Sequence, residues 1–371
     1  MTRRVALVVN PIAGMGGRVG LQGTDGPELL RRALERGAAP VAAERARRAL
    51  ARLLERAPEG VEVVEAPTPG SPAQTRATAA ALAADGVDLI LFAGGDGTAR
   101  DVSAAVAGRV PILGVPAGVK MHSACFGATP EAAGEAAAAY LRDPRPELLV
   151  EAEIADAPEP RDELSSSVSR IGTQTTTAPG ARLSTVLHGV ALVPRAPGCR
   201  LGPKASSPSS DGALAGACAR VAAEVDPRAL TIFGPGTTTA AIERELGVEP
   251  ALRGVDAYRD GALVARDASE RELLALLDAH AHAPPAARLV LGVVGGQGSL
   301  LGRGNQQLSP AVLRRIDRSN ITVVADRRKL LALDPPQLRV DTGDPDLDHD
   351  LSGHVRVRVS ARETVMCAVA C

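Results

Sequence analysis

Apolar positions in the first 150 residues fall into short unbroken runs, such as Val5-Ala-Leu-Val-Val9 and Val87-Asp-Leu-Ile-Leu-Phe-Ala93, separated by longer Ala- and Arg-rich stretches with helical spacing. A run with no polar alternation is the pattern of a strand covered on both faces, and its alternation with helices implies βαβ units and a parallel sheet. The pattern predicts strands at 4–9, 61–65, 88–93 and 111–114. It predicts helices at 27–56, broken near Gly37–Pro40, and at 71–84, 98–107 and 130–141.

Beyond residue 148 the pattern changes. Strand-like flanks at 149–154 and 185–193 enclose a polar stretch, 157–182, with almost no apolar periodicity, which reads as a loop or disordered insertion. Pro194–Asp211 reads as a second Pro/Ser loop. Alternation resumes with strands at 229–233, 288–294, 321–324 and 337–341, and helices at 238–246, 269–280 and 309–317. The tail, Val355-Arg-Val-Arg-Val359 and Thr364-Val-Met-Cys-Ala-Val369, alternates like a hairpin. The fold class expected is α/β: a Rossmann-like N-terminal domain over 1–148 with a parallel sheet, then a second, β-containing domain over 149–371 of mixed β and α/β character. A chain of 371 residues also suits about two domains on size alone.

Composition narrows the partners. With 42 basic and 43 acidic residues the net charge is −1, which argues against a nucleic-acid protein that needs a strongly basic face. Aromatics are 1% of the chain, so a purine would be held by aliphatic side chains and backbone. The five cysteines are scattered without a C-x-x-C pair or zinc-like spacing, so reduced thiols are expected. Residues 1–5 lead straight into the first strand, too short for a signal segment or a membrane span, and no basic amphipathic helix offers membrane access. A cytoplasmic enzyme is the expectation.

The residues that carry chemistry sit where predicted strands end. Gly94-Gly-Asp-Gly-Thr98 follows the strand at 88–93. Its glycines let backbone N–H groups approach a polyanion, and Asp96 places one carboxylate at the strand's carboxyl end. The plain alternative is a turn aspartate bonding its own backbone. Thr98 is placed to cap the following helix. This string resembles the GGDGT motif shared by NAD kinases and the diacylglycerol and sphingosine lipid kinases. Three further segments resemble the NAD kinase branch that includes ATP-NAD kinases and AcoX-like proteins: Asn10-Pro-Ile-Ala-Gly-Met-Gly-Gly17, Gly234-Pro-Gly-Thr-Thr-Thr239, and Gly295-Gly-Gln-Gly298 with Gly302-Arg-Gly-Asn-Gln-Gln307.

The resemblance implies an ATP-dependent kinase, with polyphosphate an alternative donor, that uses Mg²⁺ to phosphorylate the ribose 2′-hydroxyl of NAD. Its partners would be NAD and ATP, with no nucleic acid and no membrane, in a homo-oligomer. Asp96 would orient or deprotonate the acceptor hydroxyl. The rivals are a same-fold kinase acting on another small-molecule or lipid hydroxyl, and a nucleotide sensor without catalysis. Two features depart from the family pattern. The acceptor loop Gly236-Thr-Thr-Thr-Ala240, with Ile242 after it, lacks the family's aromatic, and no Asn-Glu pair stands ready for the ribose. The α/β alternation of 230–330 also departs from the β-sandwich that NAD kinases place after their first domain.

The remaining candidates are expectations of the same kind. Asn10, Gly14, Gly16 and Gly17 follow the first strand and suit phosphate contact, or a flexible glycine loop. The Gly95, Gly97 and Thr98 N–H groups belong with Gly94 in the same phosphate turn. Lys120 lies after the strand at 111–114, where an ammonium would neutralise phosphate or simply be solvated. His122 reads as a hydrogen-bonded loop histidine before it reads as a catalyst. Gly236, Thr237 and Thr238 offer N–H groups and hydroxyls to a ribose or phosphate. Gly296, Arg303 and Asn305 belong to a second glycine-rich loop whose amides would read a base edge and whose Arg would pair with phosphate. Asp101 is either a second, metal-binding carboxylate or an ordinary helix residue. The acidic run Asp341–Asp350 lacks the glycine and terminal Glu of a calcium loop and reads as solvated.

Overall fold

The computed structural model describes residues 2–21, 23–24, 26–119, 121–156, 186–196, 211–281, 283–294 and 297–371. The expected insertion at 157–182 and the candidates Lys120 and Gly296 lie outside them.

The first sheet has four parallel strands in the order β2-β1-β3-β4, from β1 (Arg3–Val9), β2 (Val61–Glu65), β3 (Leu89–Gly94) and β4 (Ile112–Pro116). Every residue of β3 is buried, which explains its unbroken apolar run. Period-two geometry divides that run between two cores. Leu89, Leu91 and Ala93 face α2 (Ala42–Arg56) and α5 (Pro130–Arg142), while Ile90 and Phe92 face α3 (Pro72–Ala84) and α4 (Asp96–Val106). The helical stretch expected over 27–56 breaks near Gly37–Pro40 as expected, into α1 (Pro27–Glu35) and α2. Strand order reverses about β1, so the carboxyl ends of β1 and β3 meet at a switch point, where such sheets bind ligands.

The strands β5 (Leu149–Asp156) and β6 (Val186–Pro194) form an antiparallel hairpin. Its inward residues Ala152, Ile154, Ala191 and Val193 join the α4 side of the first core. Packing therefore attaches this hairpin to the first sheet, although the chain order suggested that a new unit opens at 149.

The second sheet has nine strands in the order β11-β13-β15-β14-β12-β10-β7-β8-β9. They are β7 (Thr231–Phe233), β8 (Asp256–Arg259), β9 (Ala262–Ala265), β10 (Arg288–Gly292), β11 (Ser299–Leu301), β12 (Ile321–Val324), β13 (Gln337–Val340), β14 (Gly353–Arg358) and β15 (Thr364–Ala370). β10 and β11 stand five places apart in that order, roughly 24 Å in a flat sheet at ~4.8 Å per strand. Yet Val294, just after β10, donates its N–H to the carbonyl of Ser299 at the start of β11 at 3.1 Å. The sheet must therefore curl over itself. Its concave side holds one core, where Ile232, Leu289, Leu291 and Val323 meet Leu300, Leu338, Val340 and Val369. The outer side of β7, β10 and β12 is covered by α6 (Asp211–Glu224) and α7 (Thr237–Glu245), through Phe233, Val290 and Val324 against Ala217, Val221 and Ile242. This arrangement reconciles a sandwich-like second domain with the α/β alternation of its sequence.

α6 was not anticipated, because its Ala- and Gly-rich stretch has almost no amphipathic contrast. The β8–β9 hairpin was also missed, although Asp260-Gly261 at its tip, both at positive φ, is a two-residue hairpin signal. The helix expected at 309–317 shortens to α9 (Pro310–Leu313). The acidic run becomes α11 (Pro345–Leu351): Asp344 caps its first turn and buried Asp348 accepts from Thr342, so these carboxylates stabilise a helix. Among the described residues no helix is long and apolar enough to cross a membrane.

α2 and α5 touch backbone to backbone at Gly134, where a Cβ would lie 2.2 Å from the Ala49 carbonyl oxygen. Gly134→Val should cost about 1–3 kcal/mol through overpacking. Gly212→Ala in α6, where a Cβ meets nothing within 4 Å, should leave stability unchanged. Urea unfolding followed by circular dichroism compares the two, and equal midpoints would refute this account of the helix contact.

Candidate active site

The GGDGT segment begins at the switch point. Asn10 N–H donates to the Ala93 carbonyl at 2.9 Å, and its side-chain amide donates to Thr98 Oγ1 at 2.9 Å, so the loop after β1 is fixed to the turn after β3. α4 begins at Asp96 with Gly95 as its N-cap. Thr98 therefore does not cap this helix as expected. It lies inside the first turn, and its hydroxyl oxygen serves Asn10 instead. The N–H groups of the first turn remain directed at the crevice, which is the arrangement that favours an anion.

Asp96 is 5% exposed. Its Oδ2 accepts from His122 N–H at 2.6 Å and its Oδ1 from Ser123 N–H at 3.0 Å. Ser123 Oγ in turn donates to the Ala155 carbonyl at 2.9 Å and accepts from Ala155 N–H at 3.1 Å, which joins the turn to the end of β5. Burial raises the Asp96 pKa to about 6, although the Ser123 and His122 hydrogen bonds oppose it, and the charge of Asp156 adds to the rise. Asp156, the last residue of β5, lies beside Gly97 and 3.4 Å from the Arg100 guanidinium. The site therefore has two carboxylates of different character, one buried and poised, one partly solvated. The sequence reading missed Asp156, because nothing in the chain order links the end of β5 to residue 97.

The glycines serve close approach. A Cβ on Gly118 would lie 2.7 Å from Gly95 Cα, so the GGDGT turn and the loop after β4 meet as bare backbone. Gly14, at φ 78°, lies under the Ala117 carbonyl, where a side chain would collide, and Gly17 abuts Gln306 of the second domain. Gly16 packs on its own loop against Leu21 and Gly23.

The second glycine-rich loop docks on the segment 118–128. Gln297 donates to Met121 O at 2.9 Å, Gly304 N–H to Val119 O at 3.1 Å, and Gln306 Nε2 to Val119 O at 3.1 Å. Arg303, 7% exposed, donates to the carbonyls of Gly127 at 3.2 Å and Ala128 at 2.9 Å, and burial pulls its pKa down to about 9. Its guanidinium thus contacts the other domain's backbone while also lining a cavity between the domains. Asn305 holds its own loop, accepting from Gly302 N–H at 2.8 Å and donating to Leu300 O at 3.0 Å, so its amide is engaged away from any base. Asp101 ion-pairs with Arg76 of α3 at 2.6 Å and belongs to the α3–α4 contact. Gly236 caps α7, with Thr239 bonded back to its carbonyl at 3.0 Å, and buried Thr238 packs on Gly292 at the start of the turn that carries Gln297. Thr237 opens that helix beside them. His122 contributes its backbone amide to Asp96, as already described.

Two family models match this chain, the ATP-NAD kinase N-terminal domain over residues 5–144 and the ATP-NAD kinase C-terminal domain over residues 229–369. The chain belongs to the ATP-NAD kinase family. It is accordingly a phosphotransferase of the NAD kinase kind, and a comparison with curated proteins returned no match. The two matched regions coincide with the two sheets, and this NAD kinase family member places Asp96 at the crevice where they meet.

Among the described residues no group of three His, Cys, Asp or Glu side chains could hold a metal ion. Mg²⁺ is typically held by substrate phosphates, water and one or two carboxylates, and Asp96 and Asp156, whose charges couple, are the pair that would hold it. When bound, Mg²⁺ would neutralise charge building on the transferred phosphoryl group.

A base with a pKa of about 6 must be ionised to act, so kcat/KM should rise with pH through that value and level off above it. Removing the Asp156 charge in Asp156→Asn should shift the midpoint to lower pH. Initial rates across about pH 4–8, roughly two pH units either side of the midpoint, check both, and a flat profile would refute the role of Asp96.

Proposed function

We propose that this protein transfers the γ-phosphoryl group of ATP to the ribose 2′-hydroxyl of NAD, giving NADP. The acceptor oxygen attacks the γ-phosphorus while the bond to the β-phosphate oxygen breaks. ADP leaves, and the hydroxyl proton passes to Asp96. The α4 N-terminus and the N–H groups around Gly95 and Gly97 stabilise the equatorial oxygens. The observation that carries this reading is a buried carboxylate with a pKa of about 6, set at a helix N-terminus between two bare-backbone loops.

One observation favours a different hydroxyl acceptor on the same scaffold. The α7 loop has only threonines where family members carry an aromatic, and Ile242, which follows it, is wholly buried in the outer core. The aromatic of that acceptor loop is missing.

Incubation with Mg²⁺-ATP and NAD should yield NADP, and Asp96→Asn should lose roughly 10²–10⁴-fold in kcat while keeping its circular dichroism and nucleotide affinity. ATP turnover without NADP would move the acceptor assignment to another hydroxyl compound, and full activity in Asp96→Asn would sink the mechanism.

A further inference from the structure

The candidate acceptor turn Gly234–Thr239 is held by residues that lie outside it. Gly236 donates its N–H to the Leu252 carbonyl at 3.1 Å, so the place of the turn depends on the segment 250–252. That segment is tied at each residue. Ala251 N–H donates to Asp256 Oδ2 at 2.6 Å, and the Arg266 guanidinium donates to the Pro250 carbonyl at 3.2 Å. Asp256, at the start of β8, is 1% exposed, and its Oδ1 accepts from Asp267 N–H at 2.7 Å. Both of its oxygens thus hold a backbone donor, which favours the ionised form.

A second buried carboxyl group meets the first. Glu243, in the last turn of α7 and 2% exposed, bonds Asp256 through its side chain. Its Oε2 is buried and has no hydrogen-bond partner among the described residues. Two carboxylates in contact away from water would repel, and an ionised oxygen without a donor would be costly, so one proton must lie between them. Asp256 already holds two N–H donors. The proton therefore belongs to Glu243, which becomes a donor to Asp256. Burial first, and then the bond and charge of Asp256, raise the Glu243 pKa from 4.5 to about 9, against the opposing charges of Arg244 on the same helix and Arg266 after β9. From α6 the Cys218 thiol faces α7 and donates to the Thr238 carbonyl at 3.6 Å, while β10 meets α7 through Val290.

We propose that Glu243 and Asp256 form a carboxyl–carboxylate pair sharing one proton, and that this pair positions the Gly234–Thr239 turn for the phosphoryl acceptor. Both are positioning residues, acting on Gly236 through Ala251 and Leu252. The acceptor role of the turn rests on the NAD kinase reading; the shared proton and its hold on the turn do not.

Urea midpoints of the wild type and Glu243→Gln, measured from about pH 5 to pH 10, test the proton. The unfolded chain ionises Glu243 near 4.5, whereas the folded protein keeps the proton up to about 9. Wild-type stability attributable to this group therefore falls as pH rises through that window and levels off above it. The Glu243→Gln variant keeps a donor to Asp256 and has no proton to lose, so its midpoint should gain on the wild type progressively across the window. A difference that does not change with pH would overturn the shared proton.

Asp256→Asn puts an amide N–H₂ where two backbone N–H groups need acceptors. It should speed hydrogen exchange in peptides spanning 234–242 and 248–254, leave 96–106 unchanged, and weaken calorimetric NAD binding about tenfold with ATP binding unaltered. Glu243→Gln should leave exchange and both affinities at neutral pH as in the wild type. Unchanged exchange at 234–242 in Asp256→Asn, or equal weakening of NAD and ATP, would overturn the positioning role. A wild type that binds no NAD yet shows the pH trend and the local change in exchange would uphold the pair and its hold on the turn, and would refute the NAD acceptor instead.

Discussion

One buried carboxylate organises the centre of this molecule. Asp96 gathers the N–H groups of His122 and Ser123, and in doing so fixes the segment 116–128 against the GGDGT turn. That segment is also the dock for the second domain, because Met121, Val119, Gly127 and Ala128 supply the carbonyls that Gln297, Gly304, Gln306 and Arg303 grip. The same residue thus stands at the proposed chemistry and at the root of the interdomain contact. A carboxylate deprived of water tolerates that position only with donors at both oxygens, and the two backbone amides meet that requirement.

Burial then decides the electrostatics. It raises Asp96 to the range where a general base works near neutral pH, while Asp156, at the solvated end of β5, stays outside the core. It also decides the fate of Arg303, a cation whose hydrogen bonds go to main-chain carbonyls of the other domain and whose charge lies between Asp96 and Asp341. Arg45, bridging the Pro116 carbonyl and Asp341, repeats the device on the α2 side. Two sheets that share no strand are joined by side chains spent on backbone.

Much of this was legible beforehand where local pattern and burial agree. The parallel strands of the first sheet follow from runs with no polar interruption, and Gly94-Gly-Asp-Gly-Thr98 marks its own position at a strand end. The capping box of α8 (Glu270–His280), Ser269 with Glu272, likewise announces a helix that the apolar spacing already predicted. Legibility fails where residues act through distant partners. Arg303 looked like a phosphate ligand because a glycine loop around an arginine is ambiguous until its acceptors are known. Nothing in the chain order shows that Asn305 bonds its own loop through both ends of its amide, or that Asp101, read as a metal ligand or an ordinary helix residue, pairs with Arg76 of another helix.

The sequence by itself determined the strands of the first sheet, the family and the motif that carries the central carboxylate, because periodicity, turn chemistry and a contiguous motif are properties of neighbouring residues. Only the tertiary structure decided that the second sheet curls onto itself, that the β5–β6 hairpin belongs to the first core, and that Asp156 stands beside Gly97. These outcomes depend on which surfaces bury each other and on where water is excluded, and segments far apart in the chain settle both only when they meet.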